Sequence, residues 1–451
     1  MTTTLHFAEA LLPTGWARDV RVELADGCFA KVTLDALAQP ADQRYAVALP
    51  GLPNLHSHAF QRGMAGLAER RGTSADSFWT WREAMYRFVD RIGPDDLLAL
   101  AAMAYAEMLE SGFTRVGEFH YLHHDPAGTP YDGVPMAEAL VEAAAATGIG
   151  LTLLPVFYAH SGFGGQPPGP GQRRFVCGLD QFADIRAASG AALTALPDAV
   201  LGLAPHSLRA VTPEQLAELI ALDPACPFHL HIAEQSAEVG DCLAWSGARP
   251  VQWLLDHAPV DQRWCLVHAT HITPTESAAL AASGAVVGLC PITEANLGDG
   301  LFPAPAYLAA GGRFGIGSDS NVLIDAAEEL RWLEYGQRLA GQARNLFAAA
   351  GGGSTGAALV RGALAGGAQA LGTAAEIAVG ASADFVTLDR QHPSFTGASG
   401  DGWLDRWIFA AGRAGVDTVW RRGRCVVTGG RHIAREAITA RYRTTLPRLL
   451  A

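Results

Sequence analysis

Two histidines two residues apart, His56 and His58, close the apolar stretch ALPGLPNLHSH. In a β-strand, residues at that spacing point to the same face. If the stretch is a buried strand, both imidazoles converge on one point beyond its end. Two neutral imidazoles aimed at one point suit a metal ion better than they suit each other. An isolated His-x-His is more often a pair of strand-end side chains than a ligand pair, so the inference depends on partners elsewhere.

The elements that must position such partners can be read along the chain. VALPGLPNL (47–55), TRVGEF (114–119), IGLTLLPVFY (149–158) and AVLGLAP (199–205) are strand-like runs. CPFHLHI (226–232), RWCLVHA (263–269), GAVVGLC (284–290) and RFGIGSD (313–319) bring the number to eight. Helical patterns lie between them, among them PDDLLALAAMAYAEMLESG, TPEQLAELIA and TPTESAALAASG. Each begins near an Asp or Thr-Pro start signal, and two run into a Gly stop. This alternation predicts an α/β fold, a (β/α)8 TIM-like barrel. A doubly wound sheet is the other arrangement, but no Gly-x-Gly-x-x-Gly turn follows the first strand.

Barrel enzymes keep their chemistry at the carboxyl ends of the strands. Here those ends carry His56 and His58; His120 and Tyr121; Tyr158 and His160; His206; His231 with Glu234 just beyond; His268; and, at the eighth, Asp319. Histidines scattered through a core would not gather at one end.

Outside the alternation, residues 1–48 and 375–430 show short period-two runs with Gly, Asp and Asn turns. They predict a small β-sandwich built from both ends of the chain. The expected domains are therefore 1–48 (sandwich, N-terminal part), 49–374 (barrel) and 375–451 (sandwich, C-terminal part). HIAREAITARYRTTLPRLL forms a closing helix in the last of these. The Gly/Pro-rich stretch SGFGGQPPGPGQRR (161–174) is a candidate lid over the functional rim, or a plain surface loop. A net charge of −12 and the lack of a basic cluster with aromatics speak against nucleic acid as a partner. The seven cysteines form no Cys-x-x-Cys, and Cys226, Cys265 and Cys290 sit in or beside apolar runs, as in a reducing cytosol. The N-terminus lacks a secretory pattern, and the apolar run LLALAAMAYAEML is too short to span a membrane. A cytoplasmic protein is expected, in the common symmetric form of a homodimer.

The strand-end pattern closely resembles the amidohydrolase superfamily. That resemblance covers nearly the whole chain and implies that His56, His58, His231, His268 and Asp319 surround one or two divalent metals. Two-metal members commonly bridge the ions with a carboxylated lysine from strand four. The only lysine here is Lys31, in the N-terminal segment, and strand four offers His206 instead. One ion held by His56, His58, His231 and Asp319 is the simpler reading. Three imidazoles and a carboxylate suit Zn²⁺, and Fe²⁺ or Mn²⁺ could occupy the same site. In HIAE, Glu234 stands three residues after His231, the arrangement of the superfamily's deaminase branch. A carboxylate that is not a ligand can shuttle protons to a departing nitrogen. Asp319 would take the first proton, and His268 would polarise the water or stabilise the tetrahedral intermediate. A first-turn helix glutamate is the plainer reading of Glu234.

Arginines near a metal in an acidic protein suggest an anionic substrate, since the guanidinium fork matches a carboxylate. Arg209 in APHSLRAV and Arg82 in DSFWTWREAMYRF point to two carboxylates, and Gln61 and Arg62 follow the metal pair. With NLHSHAFQRGMAGLAE, EFHYLHH and GSDSN, these segments are similar to the formimidoylglutamate deiminase family of bacterial histidine degradation. The resemblance implies that Gln61, Arg82, Tyr121, His206 and Arg209 hold the glutamate part of a small dicarboxylate substrate. The alternatives are a deaminase of a purine, pyrimidine or triazine ring, against which both arginines count, and a catalytically dead scaffold, against which the complete ligand set counts.

Overall fold

The computed structural model describes residues 3–69, 78–349 and 351–451. Residues 76 and 77 of the aromatic-rich segment lie outside these. Barrel strands run over Leu52–Ser57, Phe113–His120 and Gly150–Phe157, then a fourth in two pieces, Val200–Leu201 and Ala204–Pro205. Phe228–Ile232, Trp264–His268, Val286–Leu289 and Arg313–Ile316 follow. All pair in parallel, and the last pairs back onto the first through Ile316 and Asn54. Between the fourth and fifth positions the ladder is reduced to single bridges. Leu203 N–H donates to Pro227 O, His229 N–H to Leu203 O and His231 N–H to His206 O, and these bonds close the ring.

The helix signals act as expected. Thr212 and Thr273 accept from the amides of Gln215 and Glu276 in reciprocal capping boxes, each followed by a proline. The strand reading needs one correction. VALPGLPNL is two strands: Gln43–Pro50 belongs to a second sheet, and Leu52–Ser57 opens the barrel. Gly51 marks the crossing, where a Cβ would lie 2.2 Å from the Thr114 side chain, so no larger residue fits.

The second sheet draws on both chain ends. Its strands, in spatial order, are Arg431–His432, Arg424–Thr428, Val416–Arg421, Phe385–Leu388, Gln43–Pro50, Thr3–Leu12, Gly15–Ala25 and Cys28–Thr33. Strand alternation divides its side chains between two cores. Phe7, Phe29, Phe385 and Trp420 enclose a small core within the sheet, whereas Val47, Leu49, Val386 and Val419 join the main core with the barrel. The closing helix, Arg435–Leu450, lies on helix Pro94–Glu110. Arg435 pairs with Glu107 and Glu110 across that contact, and Arg448 with Asp96. Lys31 sits in this second sheet, 3.9 Å from Glu23. Among the described residues no helix is long and apolar enough to cross a membrane.

Two histidines serve the fold alone. His123 Nε2 faces Val156 O at 2.8 Å and His229 Nε2 faces Ala370 O at 2.7 Å. Burial lowers both to about 4. Unfolded, each titrates near the ordinary ~6.5, so between pH 6.5 and 4 the unfolded chain binds more protons. Stability present above pH 6.5 is therefore lost as the pH falls toward 4. Denaturant unfolding should weaken by ~1.4 kcal/mol per pH unit for each of them in that window. His229→Gln keeps a donor for Ala370 O and should flatten the slope by that amount. An unchanged slope would show that His229 is not held neutral.

Candidate active site

His56 and His58 come from the first strand, His231 from the fifth, and Asp319 from just past the eighth. One donor atom from each lies within 4.8 Å of the others, and all four residues are buried. His56 Nε2 stands 3.0 Å from His231 Nε2 and 3.5 Å from Asp319 Oδ1, which His58 Nε2 approaches to 3.4 Å. Two of the rings are fixed from behind. Nδ1 of His58 faces Phe119 O and Nδ1 of His231 faces His206 O, each at 3.0 Å. A carbonyl only accepts, so each Nδ1 carries the proton and each Nε2 keeps a lone pair for the centre. Burial lowers all three histidines, His56 to about 3, which keeps them neutral. Asp319 is held below the usual carboxylate range: its burial would raise it, but the histidines around it prevail. Lone pairs 3.0 Å apart repel unless a cation lies between them. The donor set fits a divalent metal.

The ligands are aimed by a network that ties the first strand to the eighth. Asn321 Nδ2 donates to Ser57 Oγ, His58 O and Asp319 O at 3.0–3.1 Å. Asn54 and Ser318 exchange two hydrogen bonds, and Ser318 Oγ also donates to Asn321 Oδ1 at 2.6 Å. Ala233, His268, Asp319 and Asn321 all have positive φ, between 43° and 69°. Such backbone costs on the order of 1–3 kcal/mol per residue and collects where side chains must be aimed for function.

Glu234 follows the fifth strand. The amides of Ala233 and Glu234 both donate to the buried Glu238 carboxylate, which fixes the turn. Glu234 Oε1 lies 3.9 Å from His268 Nε2, and burial pushes its carboxyl up to about 7. His268 Nε2 is 3.8 Å from Asp319 Oδ2, and Nδ1 is 3.2 Å from Glu294 Oε1. Burial would lower His268, but Glu234, Glu294 and Asp319 together lift it to about 10. A carboxyl that titrates near neutrality thus faces an imidazolium at the edge of the ligand cluster, an arrangement suited to proton transfer. Glu294 was not singled out from the sequence. Glu294→Gln leaves an acceptor for His268 Nδ1–H but removes the charge. Hydrogen bonds to charged groups are worth ~1.5–3 kcal/mol, so kcat should fall ~10–100-fold with KM and metal content held. Steady-state kinetics with an unchanged kcat would leave Glu294 a packing residue.

A small cavity, with about 60 Å³ of room for the centres of water-sized molecules, opens over this centre. Gln61, Arg82, Tyr121, His206 and Arg209 all line it, as do His58, His231, Glu234, His268 and Asp319. Trp81, Tyr86 and Phe175 add aromatic walls that sequence reasoning had not assigned. Gln61 Nε2 donates to Tyr121 OH at 3.1 Å, and the Arg82 guanidinium lies 5.7 Å from the Tyr86 ring centre. Arg209 is buried, and its Nε has no hydrogen-bond partner among the described residues. A buried cation with an unanswered N–H at a cavity wall is a place for an anion.

Other residues named from the sequence stand elsewhere. Arg62 pairs with Glu107 at 2.6 Å and does not line the cavity. His160 bonds Gln215, and His120 packs on His123. The end of the 161–174 loop is anchored: Arg174 is fully buried and donates to His124 O and Val89 O, while Gln172 holds Tyr158 OH at 2.5 Å.

Comparison with known proteins gives the family. The Amidohydrolase family model matches residues 47–426, and that of the N-terminal domain of the formimidoylglutamate deiminase HutF matches residues 2–46. A formimidoylglutamate deiminase of Pseudomonas aeruginosa is 54% identical over 449 residues, 98% of this chain and 99% of that protein. The chain belongs to the amidohydrolase family, in its formimidoylglutamate deiminase branch. An amidohydrolase of Brucella melitensis, known from its crystal structure, is 54% identical with a TM-score of 0.97, each chain covered in full. A 5-methylthioadenosine/S-adenosylhomocysteine deaminase of Natronomonas pharaonis is 28% identical over 79% of this chain and 76% of that protein. The Amidohydrolase family model thus covers the barrel and much of the second sheet's C-terminal part, and the N-terminal domain model covers that sheet's first three strands.

Proposed function

We propose that this enzyme hydrolyses N-formimidoyl-L-glutamate to N-formyl-L-glutamate and ammonia, a step of histidine catabolism, with one Zn²⁺ per chain. The observation that carries the reading is the buried Arg209, whose Nε–H has no hydrogen-bond partner among the described residues, beside a three-histidine, one-aspartate centre. His56, His58, His231 and Asp319 hold the ion. A single ion fits the absence of any lysine except Lys31, which stands on the edge strand of the second sheet. The ion, when bound, supplies Lewis acidity that makes water a competent nucleophile near neutral pH.

The chain's own residues do the rest. Arg209 and Arg82 bind the two carboxylates of the substrate, and Gln61, Tyr121 and His206 hold its glutamate part. Asp319 accepts the first proton from the attacking water. Glu234 carries a proton to the terminal nitrogen as water adds, and the proton taken by Asp319 follows it, so that nitrogen holds both of water's protons when its bond to the formimidoyl carbon breaks. His268 stabilises the negative charge that builds on the oxygen. Water's oxygen becomes the formyl oxygen, and the nitrogen leaves as ammonia. Seven unpaired thiols support a cytoplasmic location. A homodimer is the assembly expected on symmetry grounds.

Arg209→Ala tests the clamp. Truncating one partner of a buried charged pair costs roughly 2–5 kcal/mol, so kcat/KM should drop by about 30-fold or more. Arg209→Lys should restore only part, because a point charge does not replace a bidentate fork. Metal content should not change in either. Ammonia release should be seen with N-formimidoyl-L-glutamate and not with guanine, adenosine or cytosine. A wild type that prefers a neutral ring, or an alanine variant that loses nothing, would hand the site to the ring-deaminase reading.

A further inference from the structure

We propose that His268, Cys290 and Asp319 form a second metal site, containing a thiolate, which takes a soft divalent ion such as Cd²⁺ and shuts the enzyme down. One donor atom from each lies within 4.8 Å of the others, and all three are buried. The sixth strand ends in His268, Cys290 follows the seventh and Asp319 follows the eighth, so three neighbouring strands deliver the donors. This cluster shares only Asp319 with the four-residue centre, and it shares that residue in a divided way. His56 and His58 approach Asp319 Oδ1, whereas His268 approaches Oδ2. The two oxygens of a carboxylate can serve two ions at once.

The surroundings favour a cation there. Burial first, and then the negative charge of Asp319, Glu294 and Glu329, push the Cys290 thiol up, so the thiolate forms there only against a bound cation, which those same carboxylates attract. Glu294 Oε1 accepts from the Cys290 amide at 2.9 Å and also faces His268 Nδ1. Cys290 also belongs to a buried cluster with Leu55, Cys265 and Val267. Thiolate and imidazole together select soft ions over Mg²⁺ or Ca²⁺. Binding forms bonds from the ion to Cys290 Sγ and His268 Nε2 and releases both the thiol proton and the imidazolium Nε2 proton to solvent. No other group is consumed. Once the ion engages His268 and Asp319 Oδ2, neither can serve the reaction, and that loss of activity rests on the proposed function. The binding itself does not.

The test is a Cd²⁺ titration of the zinc-loaded enzyme, followed by elemental analysis, ultraviolet absorption and ammonia release. One Cd²⁺ per chain should bind while Zn²⁺ is retained, with a thiolate-to-metal charge-transfer band rising as activity falls. Cys290→Ala and the isosteric Cys290→Ser should both keep basal activity and lose the band. Their Cd²⁺ affinity should drop by at least the ~10–100-fold that even outer partners of a metal site contribute. Displacement of Zn²⁺ by Cd²⁺, no second ion, or an unchanged band in both variants would each overturn the site. A second ion bound through Cys290 without loss of ammonia release would keep the site and sink the proposed role of His268.

Discussion

Glu234→Gln should leave the metal in place and cut turnover by ~10²–10⁴-fold or more, the usual worth of a positioned general acid–base. The substitution keeps size, and it keeps contact with the pocket. It removes the one property the mechanism asks of this side chain, a proton taken and returned near neutral pH, where burial has moved its carboxyl to about 7. The Ala233 and Glu234 amides stay bonded to Glu238, so the turn that presents residue 234 should not change. Elemental analysis and single-turnover rates measured together decide the matter. Near-normal turnover with full metal would return Glu234 to the rank of a helix-start glutamate.

The second large effect is loss of the ion itself. Wild type should purify with about one divalent ion per chain, and His56→Ala or Asp319→Ala should remove most of it together with activity. Asp319→Ala should be the more severe, because that carboxylate is the only anionic donor among the four. The main chain should survive the change, since Asn321 holds the 319 carbonyl and not its side chain. Two tightly bound ions in a fully active preparation would defeat the one-ion reading, and with it the inhibitory role given to Cys290.

The barrel and the candidate ligand cluster could be read from the sequence because both rest on local rules. Strand alternation sends His56 and His58 to one point, and Thr-Pro starts and Gly stops mark the helices. Where a residue sits in depth was not readable. CPFHLHI contains a second His-x-His pair, and His229 and His231 point the same way. His229 lies one layer lower and bonds Ala370 O, while His231 reaches the ligand cluster. Nothing in the spacing separates them. Arg62 shows the same limit: it is adjacent to Gln61 in sequence but turns to Glu107, a partner 45 positions away. Glu294, Glu238 and the Asn54–Ser318–Asn321 network went unassigned because their value lies in contacts between strands. PNLHSH and GSDSN did carry that polar signal beside the ligands. The division of VALPGLPNL needed knowledge of Thr114, whose side chain fills the space at Gly51.

The network joining the first and eighth strands also sets a timetable for biosynthesis. Asn54 and Ser318 are 264 positions apart. At ribosomal speeds of ~5–20 residues per second, roughly 13–50 s pass between the appearance of one partner and of the other. The sheet waits longer still, because Gln43–Pro50 can pair with Phe385–Leu388 only once that later strand has been made. Through that interval the nascent chain holds Leu49, Leu52 and Leu55, all destined for the interior, with no final partner to cover them. Chaperone engagement early in synthesis is the expected consequence. An ion held by His56, His58, His231 and Asp319 can enter only after Asp319 has been made, so metal starvation should leave the protein folded with this centre empty.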